Sequence, residues 1–263
     1  MNLKEMARCL AHAEMNVALF NAHRTSGATG ESAIGEGKIE RAATRSFEFL
    51  LDSTRPTSPY YNRAVARTQG AFAREALLEL PGAIVGVELT PAQLSPASAA
   101  HLIERGLRPT YQLCYLGAVP ARTSERTVQP AVQRLDPSQV DLFFDLLQSE
   151  GVEFPPEKRA RKRGYYCTDR FHCYVARETT GIAAGWTTMH VEDNVAFFGN
   201  SFTLPRFRKS GMHSALLAAR LNDAAQLGMA VCYTDVEHGS QSHYNCERAG
   251  FRTLTINTIW SRA

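Results

Sequence analysis

The sequence predicts an α/β protein: a mixed, mostly antiparallel sheet flanked by helices, built as two fused and similar halves. Three observations carry this. Helix-spaced and strand-like apolar runs follow one another as β-α-α-β-β-β-α-β-α-β over the second half. Gly181 and Asp193-Asn194 separate neighbouring strand-like runs, which marks hairpins, while the strand–helix–strand stretch beyond them implies a crossover. The first half has a comparable rhythm of helix, strands, helix, strand, helix and strand.

Leu3, Met6, Ala7, Leu10, Ala13, Val17 and Leu19 recur at mostly helical spacing, so residues 3–20 read as an amphipathic opening helix. Extended segments follow at 36–40, 46–52, 60–67, 83–89 and 109–118, with helices at 70–80 and 93–105. Gly106 sits where a C-cap glycine would close the second helix. Residues 119–127 are polar, contain Pro120 and lack periodicity. They read as the connection between a half spanning 1–120 and one spanning 128–263.

The second half opens with a strand at 128–134. Asp136-Pro137-Ser138 offers an N-cap for a helix from Gln139 to Glu150, with Val140, Phe143, Phe144 and Leu147 on one face and Gly151 at its end. A short helix at 156–163 and strands at 171–177, 182–191 and 195–204 follow. A helix at 211–227 ends at Gly228, a strand covers 230–236, a short helix 240–249 and a last strand 251–260.

Composition bounds the function. With 263 residues, 44% hydrophobic and 21% charged, the chain is a folded globular protein. A net charge of +3 does not by itself argue for nucleic acid. No stretch approaches the roughly 20 apolar residues of a membrane span. The first residues include Glu5 and lack an apolar core, so they do not read as a secretory signal, and a cytoplasmic location is expected. The six cysteines form no CxxC pair and read as buried free thiols. Cys167 and Cys173 alone do not complete a four-ligand zinc site, so no metal is expected.

The most informative run is Thr203-Leu204-Pro205-Arg206-Phe207-Arg208-Lys209-Ser210-Gly211-Met212-His213-Ser214, which joins a strand to a strongly apolar helix. A helix start leaves its first N–H groups unpaired and carries partial positive charge. Gly211 lets a pyrophosphate approach the backbone, Arg208 and Lys209 add charge, and Ser210 and Ser214 offer hydroxyls. An ordinary basic turn would share some of these features.

Here the chain resembles the GCN5-related N-acetyltransferase (GNAT) family, in which a strand is followed by Arg/Gln-x-x-Gly-x-Gly/Ala and a helix. Arg208-Lys209-Ser210-Gly211-Met212-His213 matches at the arginine and first glycine and departs at His213. Downstream, the run from Ser240 to Gly250-Phe251 is similar to the family's closing helix and its Gly-Phe strand entry. The resemblance covers about 128–263. In the first half it is limited to the rhythm of elements and Tyr60-Tyr61-Asn62-Arg63, with no pyrophosphate loop, so a single coenzyme site is expected.

The resemblance implies acetyl-CoA as co-substrate, held by Phe202, Thr203, Leu204, Arg208, Lys209, Ser210, Gly211, Met212, His213, Ser214, Ser242 and Asn245. It implies direct attack by an amine of a small molecule or peptide on the thioester. The amine must shed a proton, and an N–H of the strand ending at Leu204 would meet the oxyanion. For the base, Glu237 and His238 or His190 and Glu192 are candidates. The family's usual acid, a tyrosine four residues before the glycine of Gly-Phe, is replaced by Cys246; Tyr244 lies two residues away. Tyr233 and Asn200 are expected to line the cleft. Rival readings are a non-catalytic acyl-CoA-binding or sensing protein, and a nucleic-acid-associated protein using the basic run Lys158-Arg159-Ala160-Arg161-Lys162-Arg163. Membrane association is not expected; a monomer or homodimer is.

Overall fold

A computed structural model describes residues 2–25, 39–67, 69–121, 130–149 and 151–262. In chain order the elements are α1 (Leu3–Thr25), β1 (Ile39–Ala43), β2 (Phe47–Asp52), β3 (Arg63–Ala66), α2 (Arg74–Leu77), β4 (Gly86–Leu89), α3 (Pro96–Glu104) and β5 (Leu107–Ala118). Then come β6 (Ala131–Leu135), α4 (Val140–Gln148), α5 (Pro156–Lys162), β7 (Phe171–Arg177), β8 (Ala183–Glu192), β9 (Val195–Thr203), α6 (Met212–Gln226), β10 (Val231–Glu237), α7 (Gln241–Arg248) and β11 (Arg252–Arg262). The order expected for the second half holds throughout.

Local chemistry explains most boundaries. The Ser95 hydroxyl accepts from the Ser98 N–H at 3.1 Å and Pro96 takes the first helical position, so α3 starts there. Gly106 closes it at φ +79°. Asp136 caps its turn by accepting from the Ser138 N–H at 2.8 Å. The helix expected at 70–80 does not form as one piece. Ala73 is extended, with ψ 150°, and splits it into a 3-10 turn (Gln69–Phe72) and the four-residue α2. Phe72, Leu77 and Leu80 all drop into one core from these short turns, and that burial outweighs helical continuity. The strand expected at 60–67 shortens to Arg63–Ala66. Residues 36–38, 122–129 and 150, which enter the expected first-half strand, connection, second-half strand and helix end, lie outside the described residues.

The chain forms two compact units. One comprises Cys9–Tyr115, Val236–His238 and Leu254–Ala263. In it β1, β2 and β3 pair antiparallel in sequence, β3 pairs β4 in parallel, and β4 pairs β11 antiparallel through Leu89↔Thr258 and Val87↔Trp260. Its core joins Phe47, Phe72, Leu77, Val87 and Leu102 to Trp260 from the end of the sequence. Buried Arg63 lies between the carboxylates of Glu14 and Glu88, and Asn257 donates to Glu88 at 2.7 Å.

The other unit comprises Met1–Arg8, Leu116–Asp235 and Gly239–Thr253. Its strands lie in the order β10-β9-β8-β7-β6, antiparallel except for the parallel step between β9 and β10. Helix α6 packs across β6–β9. Its Leu216, Leu217 and Leu221 are buried, and Phe198 meets Phe251 edge-on at 5.5 Å. Phe143, Phe144, Phe154, Tyr166 and Trp186 form an aromatic cluster with α4. The buried Tyr233 hydroxyl donates to the Met6 carbonyl at 2.7 Å.

Strand β9 is irregular along both of its edges. Its parallel register with β10 ends at Thr234↔Phe198, where the Thr234 hydroxyl donates to the Phe198 carbonyl at 3.0 Å. Its register with β8 shifts between Thr187↔Ser201 and Met189↔Phe198, so Gly199 and Asn200 bulge opposite Thr188. A Cβ at Gly199 would lie 2.8 Å from the Thr188 hydroxyl, which is why the bulge carries glycine.

Candidate functional site

Beyond the bulge, β9 keeps its pairing with β8 while its other edge leaves β10, and this segment forms one wall of a cavity of about 790 Å³. That size is within the range of small-molecule sites, about 300–1,000 Å³. Ser201, Phe202 and Thr203 line it from the strand, Phe207, Arg208 and Lys209 from the following loop, and Gly211, Met212, His213 and Ser214 from the start of α6. Gln241, Ser242, Asn245 and Arg248 close it from α7.

The entry to α6 is built by left-handed backbone. Lys209 has φ +66° and Gly211 φ +84°. At Gly211 the torsion, not crowding, demands glycine, since a Cβ there would meet only Pro130, at 4.0 Å. No side chain caps this helix. By contrast, α7 is capped by Ser240, whose hydroxyl accepts from the His243 N–H at 3.2 Å. The α6 first-turn amides are therefore open to an anion, and exposed Arg208, Lys209 and Arg248 place three cations around them.

His213 is tied across the cavity. The Asn245 side-chain oxygen accepts from Arg248 at 2.6 Å and from Gln241 at 3.0 Å, which leaves its amide nitrogen to donate to His213 Nδ1 at 3.1 Å. The ring proton then sits on Nε2. Burial, with the Arg220 charge adding to it, pushes the His213 pKa down to about 4, so the ring is neutral near pH 7.

Of the twelve residues expected to hold a coenzyme, ten line this cavity. Leu204 and Ser210 do not. The Leu204 N–H donates to the Ala184 carbonyl at 3.0 Å, and the Ser210 hydroxyl turns back to the Phe207 carbonyl at 2.5 Å. Sequence reasoning missed Ser201, Phe207, Gln241 and Arg248. The last two share a helix face with Asn245 at i, i+4 and i+7, a spacing that was readable once Asn245 was singled out.

The residues considered for acid and base chemistry are scattered. His190, Tyr244 and Cys246 are not among the cavity's lining residues. His190 is buried on β8 opposite Phe197. Cys246 is buried inside α7, while Tyr244 is 54% exposed with its ring stacked on His243. Glu192 is ion-paired with Arg170. Glu237 and His238 are exposed and belong to the other compact unit, where the His238 N–H donates to the Gln112 carbonyl at 3.3 Å. Tyr233 spends its hydroxyl on Met6 rather than lining the cavity. Asn200 is exposed at the bulge, its carbonyl accepting from the Thr187 hydroxyl at 3.0 Å.

The basic run 158–163 is largely engaged in packing. Arg159 pairs with Asp145 at 2.7 Å and Arg163 with Asp141, which fastens α5 to α4. Lys158 donates to the Glu153 carbonyl at 2.6 Å, and Lys162 is buried against Tyr165. All six cysteines are free, and among the described residues no three metal-ligating side chains converge. Among these residues no helix is long and apolar enough to cross a membrane.

A GCN5-related N-acetyltransferase from Kribbella flavida superposes on 86% of this chain and 90% of its own, with a TM-score of 0.61 at 15% identity. One from Sphaerobacter thermophilus superposes on 93% and 89%, at 0.56 and 13% identity. A tandem GNAT protein from the clavulanic acid biosynthesis pathway matches 94% of this chain and 93% of its own, at 0.52 and 13% identity. This chain has the GNAT fold. No family model matches the sequence, and no curated protein does. At these identities the likeness is one of fold. Within this GNAT fold the cavity draws on β9, the loop after it and the helices α6 and α7.

Proposed function

We propose that the chain is an acetyl-CoA-dependent N-acetyltransferase that passes the acetyl group directly to an amine of a small molecule or peptide. The observation that carries this is the uncapped N-terminus of α6 opening into a cavity ringed by Arg208, Lys209 and Arg248. A pyrophosphate fits such a place: backbone N–H groups point at the anion, the helix dipole favours negative charge, and Gly211 removes the side chain that would keep it away. Phe202, Thr203, Met212, Ser214, Ser242 and Asn245 would hold the rest of the coenzyme.

In this reading the amine attacks the thioester carbonyl. A C–N bond forms, the C–S bond breaks and the amine loses a proton. Ser201, Phe202 and Thr203, past the end of the β9–β10 register, supply the open strand edge along which the thioester arm would lie. The proton would pass to water, and thiolate can leave unaided because its conjugate acid is already fairly strong. Residues 1–120 and 128–263 are read as two fused GNAT-like halves with a single coenzyme site. In the first half the segment after β3 forms a 3-10 turn and the four-residue α2, too short to present an anion site.

Calorimetric titration with CoA tests the grip. Wild type is expected to bind, with Gly211→Ala and the pair Arg208→Ala/Lys209→Ala each weakening affinity by about tenfold or more. Absence of CoA binding by the wild type would sink the proposal. Release of free thiol from acetyl-CoA, followed with a panel of primary amines, tests transfer. Tight CoA binding with no release from any amine would favour the acyl-CoA-sensing reading, which the burial of Cys246 at the position of the family's tyrosine supports.

A further inference from the structure

Arg220 of α6 is 2% exposed, and among the described residues it makes no ion pair. Its guanidinium lies under the β8–β9 bulge. One terminal nitrogen donates to the Thr188 carbonyl at 3.2 Å and to the Gly199 carbonyl at 3.3 Å, and the other donates to the Ser201 hydroxyl at 3.2 Å. Nε donates to its own helix at Leu216, 3.4 Å away, and the guanidinium carbon stands 4.4 Å over the Phe198 ring.

Burial pushes the Arg220 pKa down to about 10, opposed by Cys246, Tyr174 and Cys232, and the side chain stays charged near pH 7. A buried cation with only neutral partners carries a desolvation penalty that nothing of opposite charge offsets. An apolar side chain would fill the same helical position without it. What the guanidinium does that an apolar group cannot is meet the carbonyls on both sides of the bulge at once and reach a side chain that lines the cavity.

We propose that Arg220 is a positioning residue for acyl transfer, clamping the bulge so that β9 presents Ser201–Thr203 to the cavity in a fixed register. The proposal rests on the acetyltransferase reading. The bulge adds one residue to β9 relative to β8. Loss of that extra residue from the bulge would shift the pairing by one, and alternate side chains would exchange faces. Ser201 and Thr203 would then trade places with Phe202. The phosphate-gripping turn at Arg208–His213 lies outside the clamp, so binding and turnover should separate.

The test uses the full chain with Arg220→Met, which keeps bulk and removes charge and donors, and Arg220→Lys, which keeps charge and one donor group. Amide hydrogen exchange of the ligand-free proteins is read at Thr188 and 199–201. Arg220→Met is expected to raise exchange there by about tenfold or more while α4 and β7 stay protected. CoA affinity should fall by less than the rate does, because Arg208, Lys209 and the α6 amides are untouched. The maximal rate of thiol release with an accepted amine should fall by about tenfold or more, with partial recovery in Arg220→Lys. Unchanged exchange at the bulge overturns the proposal whatever the chemistry. So does a wild-type maximal rate in folded Arg220→Met, or loss of rate that Arg220→Lys does not begin to restore. If wild type neither binds CoA nor releases thiol while exchange at the bulge still rises, the acetyltransferase reading fails and the catalytic half of the proposal falls with it, leaving only the clamp.

Discussion

At the scale of single residues, His213 has the clearest consequence. Its neutral ring accepts from Asn245, and its folded pKa of about 4 lies below the ordinary 6.5. As pH falls between these values the unfolded chain takes up a proton that the folded chain does not. Stability is therefore full above about 6.5 and is lost as pH falls toward 4. Burial lowers the pKa of His172 too, in the same sense. Thermal unfolding from pH 7 to 4.5 should show the melting temperature falling across this window. His213→Gln, which can still accept from Asn245, should flatten the fall, leaving a remainder from His172. An equal slope in wild type and variant would contradict the lowered pKa of His213. That residue 213 departs from the family's small residue was legible; which nitrogen holds the proton was not, because that is set by Gln241, Arg248 and Asn245 on another helix.

At the scale of elements, the pair β8–β9 controls the cavity wall. A Cβ at Gly185 would stand 2.7 Å from the Phe202 carbonyl, a backbone atom that cannot swing aside. Gly185→Ala should therefore destabilise the fold by about 1–3 kcal/mol. It should also weaken CoA binding measurably, because the displaced residue lines the cavity; denaturant unfolding and calorimetry check the two effects. Helix α6 was legible from its alanines and its stripe of Met212, Ala215 and Leu216. The bulge was not, though an isolated glycine inside a strand pattern, Gly199, was its signal. The helix expected at 70–80 broke because side chains spaced for a helix found a better core from two short turns.

At the scale of the molecule, the compact units do not follow the order of the chain. The last strand, β11, pairs with β4, and Trp260 fills a core otherwise made by residues 47–107. Trp260→Ala should cost about 3–5 kcal/mol, read by denaturant unfolding. A fragment of residues 1–120 lacks β11 and should show neither a cooperative thermal transition nor protected amides. A fragment that unfolds cooperatively would show that β11 is dispensable to that unit.

The sequence by itself determined the kinds and order of elements in the second half, because periodicity, caps and turn residues act within a few positions of one another. It also marked the cationic, glycine-bearing entry to α6, since a helix start needs no distant partner to expose its amides. The tertiary structure decided which strands are neighbours, where β9 bulges, that Arg220 serves that bulge, and that Tyr233 and Cys246 face inward. Those are matters of contact between residues far apart in the chain, and no local pattern encodes which buried group will meet which.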